Sequence, residues 1–135
     1  MNPVVSFAIP LKVCTIDVDV KDTGDGYSVT LYGGTRPHIG SVALAVSHPS
    51  KADKARQSAT VSIVQAPGHR DGLIAGPIAE GLARRTGKNV SVAVGVHIGD
   101  PESYNAPRCK VQEVVDSIHY IEDQIFQKII GRSKQ

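Results

Sequence analysis

Six consecutive residues, Pro67-Gly68-His69-Arg70-Asp71-Gly72, bring together an imidazole, a guanidinium, a carboxylate and two glycines. A run of strand character, Ala59 to Ala66, precedes them, and a run of helical character, Gly72 to Thr86, follows. A strand that turns through glycine into a helix leaves unpaired N–H groups and the positive end of the helix dipole at the turn, a setting that attracts anions. Arg70 adds a fixed cationic fork, His69 a titratable ring, and Asp71 is of a type suited to capping the helix. Read alone, the hexapeptide fits a capped βα turn with solvated charges better than a site, because such side chains are mostly exposed. The weight shifts with what the rest of the chain delivers to the same place.

A second group of this kind is Gly33-Gly34-Thr35-Arg36-Pro37-His38-Ile39-Gly40, and a third ends the run Val90-Ser91-Val92-Ala93-Val94-Gly95-Val96-His97, with Asp100 close behind. The elements between these groups follow from periodicity. Met1 to Pro10 reads as an apolar edge segment. Cys14, Ile16, Val18 and Val20 alternate with polar positions, as do Tyr27, Val29 and Leu31, and the glycine-bearing turn Lys21 to Gly26 joins them as a hairpin. Ile39 to Ser47 is a third strand, with Val42, Leu44 and Val46 on one face and Ser41, Ala43, Ala45 and Ser47 on the other. Thr60 to Ala66 is a fourth, and Val90 to His97 a fifth with one face of small residues. Ile74, Ile78 and Leu82 form the apolar stripe of the first helix, with Pro77 as a kink or a displaced start, Arg84 and Arg85 at its end and Gly87 beyond it. Gly99 to Pro107 reads as a loop. Lys110 to Ile130 reads as a closing amphipathic helix ended by Gly131.

The order is β-β-β-β-α-β-α, an α+β fold with a mixed, mostly antiparallel sheet and two helices packed on it, in a single domain over residues 1–135. Two strands joined by a helix run parallel through a right-handed crossover, so the fourth and fifth end at one edge of the sheet. If the third is antiparallel to the fourth, it begins there. Arg36, His38, His69, Arg70, Asp71, His97 and Asp100 then converge on one rim, and the carboxyl ends of parallel strands are where open sheets bind ligands. Two arginines beside a helix start suit a phosphate. His38, His69 and His97, with Asp71 or Asp100, would suit a metal such as zinc, although neighbouring arginines count against a bare cation site. The plain alternative is that these residue types simply serve turns.

Composition narrows the field. The chain has 135 residues, 41% hydrophobic and 21% charged, with a net charge of +2, too small to argue for nucleic acid or an anionic membrane. There is no tryptophan, so aliphatic side chains must build the core. Cys14 and Cys109 share no metal-type spacing; Cys14 reads as a small buried hydrophobe. No run is long enough to span a bilayer, and the N-terminus lacks a signal core, so the cytoplasm is expected. No nucleophile, base and orienting group can be assigned. Ser41 follows Gly40 but lacks the context of a nucleophile elbow, and the expectation is a protein that is not an enzyme. His48, His119 and the lysines and arginines of the surface read as solvated or locally packed.

The stretch Gly33 to Gly40 with Val42-Ala43-Leu44-Ala45, the Pro67 to Asp71 turn with its helix, and Val96-His97-Ile98 resemble the LpdD-like family of prenylated-flavin chaperones. The likeness runs from about Val13 to Gly99 and more loosely over the last helix. It implies an accessory protein of UbiD-type (de)carboxylases, linked to delivery of prenylated FMN or to maturation of the enzyme, with a fold like that of the small proteasome assembly chaperones, which work as dimers. A homodimer is therefore expected. From the chemistry of the rim, the residues expected to hold the cofactor are Arg36, His38, Gly40, Gly68, His69, Arg70, Asp71 and His97. Two other readings stay open: a protein-assembly chaperone without a small ligand, and a small metal- or phosphate-dependent enzyme built on His38, His69 and His97.

Overall fold

The computed structural model describes residues 4–12, 14–34, 38–68, 71–97 and 112–133, with the backbone alone at 97, 132 and 133. The strands are β1 (Val4–Pro10), β2 (Thr15–Asp22), β3 (Gly26–Gly34), β4 (Ser41–Pro49), β5 (Gln57–Gln65) and β6 (Asn89–His97). Helix α1 (Gly72–Thr86) joins β5 to β6; a short helical segment α2, residues 112–116, leads into α3 (Ile118–Ser133). The six strands form one sheet in the order β1-β2-β3-β6-β4-β5. All neighbours are antiparallel except β3 and β6. The α+β class and mixed sheet expected from the sequence are therefore present. The apolar lead-in forms a true edge strand, paired with β2 from Val4↔Lys21 to Pro10↔Thr15.

Period-two patterning decides which side of the sheet is dry. Ile16, Val18 and Val20 of β2, Val29 and Leu31 of β3, and Val90, Val92 and Val94 of β6 are buried on one face. They meet Ile74, Ile78 and Leu82 of α1 and Ile118, Ile121, Ile125 and Ile129 of α3 in a single core. On β4 it is the small face that turns inward: Ala43 and Ala45 are fully buried, and α1 packs on β4, β5 and β6. Small side chains let the helix sit close to the sheet there. The larger residues of β4, Val42, Leu44 and Val46, are exposed on the opposite face together with Val64 of β5. The same face is polar on β1–β3, where the Ser6 hydroxyl donates to Asp19 Oδ1 at 2.6 Å and the Tyr32 hydroxyl to Asp19 Oδ2 at 3.4 Å.

Pro77 neither ends nor delays α1, which runs through it from Gly72. Pro77 and Leu73, one turn earlier, are both exposed, so the carbonyl that loses its helical partner can turn to water. The closing helix departs from one unbroken run. The Ser117 hydroxyl donates to the Glu113 carbonyl at 2.8 Å, and the Ser117 N–H bonds Val114 O at 3.0 Å, a tightened turn that divides α2 from α3. Gly131 lies inside α3 rather than stopping it. No described helix is long and apolar enough to cross a membrane.

Candidate functional site

The crossover places its loops as the strand logic requires. Ser41 lies opposite Gln65 of β5 and Val94 of β6, so the start of β4 and the ends of β5 and β6 share one edge. Gly40 is clasped between them: its N–H donates to Val94 O at 2.8 Å, and its carbonyl accepts from the Ala66 N–H at 2.8 Å. One residue earlier the chain leaves the ladder. A Cβ on Gly95 would collide with the His38 carbonyl, so the backbone of His38 rests directly on that glycine.

This departure creates a vacancy that Asp71 fills. With Ser41 opposite Val94, continued pairing would set residue 39 against Val96. The Val96 N–H instead donates to Asp71 Oδ1 at 3.2 Å. The other carboxylate oxygen lies 3.5 Å from His38 Nε2, an electrostatic contact rather than a tight hydrogen bond. Asp71 is only 5% exposed, while the His38 side chain keeps 20% of its surface in water. Asp71 does occupy the N-cap position of α1, but in helical conformation and with no side-chain capping bond. Its backbone carbonyl accepts from the N–H groups of Ile74 and Ala75, and its carboxylate crosses to β6.

The capping task falls to Gln65, the last residue of β5, whose Oε1 accepts the Gly72 N–H at 2.9 Å. Sequence reasoning missed this residue, because a glutamine ending a strand carries no capping signature. The helix start is accordingly less open to an anion than an uncapped one. Gly68 turns the chain with φ of 77°, a conformation suited to glycine. Ser41 is buried, and its hydroxyl donates to Val64 O at 3.2 Å, which makes it a structural residue.

The rim has an apolar margin: Ile39, Ile63, Val64 and Leu73 are exposed, and an open cleft of about 460 Å³ is lined by Ile63, Gln65, Gly72 and Leu73. Of the eight residues expected to hold a cofactor, His38, Gly40 and Asp71 meet at this edge, and Gly68 lies on the loop that leads to it. Arg36, His69 and Arg70 lie outside the described residues, as does the side chain of His97, whose backbone pairs with Gly34 at the end of β6. Asp100 and Cys109 also lie outside them. Among the described residues no three ligand-type side chains are placed to hold a metal ion. Cys14 is half-buried against the core, and burial pushes its thiol pKa up, as suits an inert packing residue.

A six-stranded mixed sheet layered with helices is a fold already seen in a solved structure. The chain is similar to a crystal structure of a chaperone complex for yeast 20S proteasome assembly, with a TM-score of 0.61 and 14% identity over 96% of this chain and 95% of that one. At that identity the likeness establishes fold alone. The family follows from the sequence: residues 11–130 match the prenylated flavin chaperone LpdD-like domain, and the chain belongs to that family. The resemblance carried by the glycine-histidine motifs is thereby borne out. No match was found among curated proteins.

Proposed function

We propose that this chain is an accessory chaperone that binds prenylated FMN at the edge formed by β4, β5, β6 and the start of α1. It passes the cofactor to a UbiD-type (de)carboxylase in the cytoplasm, acts as a homodimer, and catalyses no reaction itself. The observation that carries this reading is membership of the prenylated flavin chaperone family over residues 11–130. The chemistry of the rim is compatible with the cargo. FMN ends in a phosphate, for which Arg36, Arg70, His38 and His69 offer cationic or donor groups. The Gly40 and Gly68 backbones allow close approach, and the backbone of β6 ends at His97 on the same edge. Asp71 would repel a phosphate if its charge were open to it, but the carboxylate is buried and engaged by the Val96 N–H and His38. The flat ring system would lie against the part of the apolar margin that Leu73 provides.

The test is titration of the purified protein with oxidised and reduced prenylated FMN, followed by absorbance, together with activation of the apo-decarboxylase. Binding that weakens at least tenfold in Arg70→Ala, with loss of activation, is expected. Absence of binding to either redox form, with no effect on activation, overturns the reading.

One observation favours a second reading, a protein-assembly chaperone without a small ligand: the exposed apolar strip of Val42, Leu44, Val46 and Val64. That reading predicts client capture unaffected by Arg70→Ala and abolished by Leu44→Asp.

A further inference from the structure

β5 is an edge strand, hydrogen-bonded only to β4 among the described residues. Free strand edges pair with whatever strand is offered, and proteins usually blunt them with charge, proline or a bulge. β5 has none of these. Gln57-Ser58-Ala59-Thr60-Val61-Ser62-Ile63-Val64-Gln65 runs nine residues without a charge, a proline or a glycine. The opposite edge, β1, is seven residues long and ends in Pro10.

Which backbone groups of β5 are open can be read from its bonds to β4. The Ala66 N–H donates to Gly40 O, and the Ser50 N–H donates to Arg56 O. Even-numbered positions therefore turn their polar groups toward β4, and positions 57, 59, 61, 63 and 65 turn theirs outward. The side chains of these odd-numbered residues lie on the helix-covered face, opposite Ala45 and Ala43 in the register Val61↔Ala45 and Ile63↔Ala43. There the core runs out to the edge unclosed: Ala59 and Val61 are half-buried, and Ile63 is 48% exposed.

The strand is also complementary to itself. Set antiparallel to a second β5 about a twofold axis at Val61, Gln57 faces Gln65, Ala59 faces Ile63 and Val61 faces its own copy. On the other side of the ribbon Ser58 faces Val64 and Thr60 faces Ser62. Odd positions meet odd positions, so the outward N–H and C=O groups meet as hydrogen-bonding pairs, and no charges oppose each other.

We propose that β5 is the surface through which two copies of this chain associate, edge to edge and antiparallel about Val61, into one continuous sheet. The axis sets the two rims at opposite ends of the shared strand pair. The proposal rests on the homodimer of the proposed function and names its seam; it stands independently of flavin binding.

Sedimentation and light scattering of the full chain are expected to show a dimer at micromolar concentration. Val61→Pro is expected to give a monomer. The 61 N–H points to the free edge, so proline there removes no bond to β4. Because a misfolded variant would also lose the dimer, Val61→Cys supplies an independent readout. Directly opposed residues of a hydrogen-bonded antiparallel pair lie about 5.5 Å apart at Cα, within reach of a disulfide. Mild oxidation is expected to convert Val61→Cys to a covalent dimer, while Leu44→Cys on the open face and the parent chain, with Cys14 and Cys109, stay single. A monomer at all concentrations, or cross-linking of Leu44→Cys in place of Val61→Cys, overturns the proposal.

Discussion

The two ends of α1 handle charge in opposite ways. At the C-terminal end Arg85 divides its guanidinium between Glu122 Oε2 at 3.2 Å and Asp123 Oδ1 at 3.0 Å, and lies 3.8 Å from the centre of the Phe126 ring. Arg84 pairs with Glu80 at 3.4 Å, and Gly87 closes the helix in left-handed conformation. The Arg85 contacts fasten α1 to α3. Gly81 allows it, since a Cβ there would strike the Glu122 carboxylate. At the N-terminal end a single buried carboxylate serves β6 instead of its own helix and holds an imidazole that water can reach. Charge density alone would have pointed to the arginine end. A polar side chain that leaves the capping of its own helix to another residue and supports a neighbouring strand is the better marker of a candidate site.

The largest expected effect that tests this contrast comes from Gly95→Val. Its side chain would need the space of the His38 carbonyl, at a loss of about 3 kcal/mol in denaturant melts. A variant as stable as the parent would mean that the N-terminal rim is not held in place. Asp71→Ala follows, at about 1–3 kcal/mol, because the Val96 N–H is left buried without its acceptor. Asp71→Asn keeps an acceptor oxygen for that N–H and should lose less, as urea midpoints will show; equal losses would point to the His38 contact as the dominant one. Arg85→Ala should cost about 1 kcal/mol, the sum expected of partly exposed ion pairs and a ring contact, with prenylated FMN affinity unchanged. A fall in affinity would erase the distinction between the two ends.

The smallest effect lies away from both. The charge of Asp19, foremost, raises the Tyr32 pKa above its ordinary 10.0, with burial, the hydrogen bond to Asp19 and the charge of Asp17 adding to it. A raised folded-state pKa gives stability that is complete below pH 10.0 and lost as pH rises through the folded value. The small stability advantage over Tyr32→Phe, followed by thermal melts from pH 8 to 11, should therefore shrink at the alkaline end.

The fold was readable wherever a period held over a full strand or helix. The alternations at Ile16, Val18 and Val20 and at Val90, Val92 and Val94, and the stripe of Ile74, Ile78 and Leu82, all mark buried faces. The crossover argument also foresaw that the segments bearing His38 and Asp71 would meet. Local patterning could not say which face of β4 turns inward, because the larger apolar side chains lie on one face and the small residues that admit a close helix lie on the other. The packing of α1 against the alanines settles it. Nor could it assign the cap. Asp71 has the right type and position, but the early exit of the chain at His38 leaves Val96 without a ladder partner, and that tertiary demand redirects the carboxylate. Arg85 reads in sequence as a surface charge; its role depends on α3, which begins more than thirty residues later.

Among the described residues β6 is the last strand to leave the ribosome, yet it lies in the middle of the sheet, between β3 and β4. Until residues 89–97 arrive, the β1–β3 meander and the β4–β5 hairpin share no seam, and Leu31 and Ala43 have no strand between them. Folding must therefore wait for a long-range closure, and refolding should be slow for a chain of this size, with both halves consolidating in one step. A nascent chain stalled before Asn89 holds five strands and no continuous sheet.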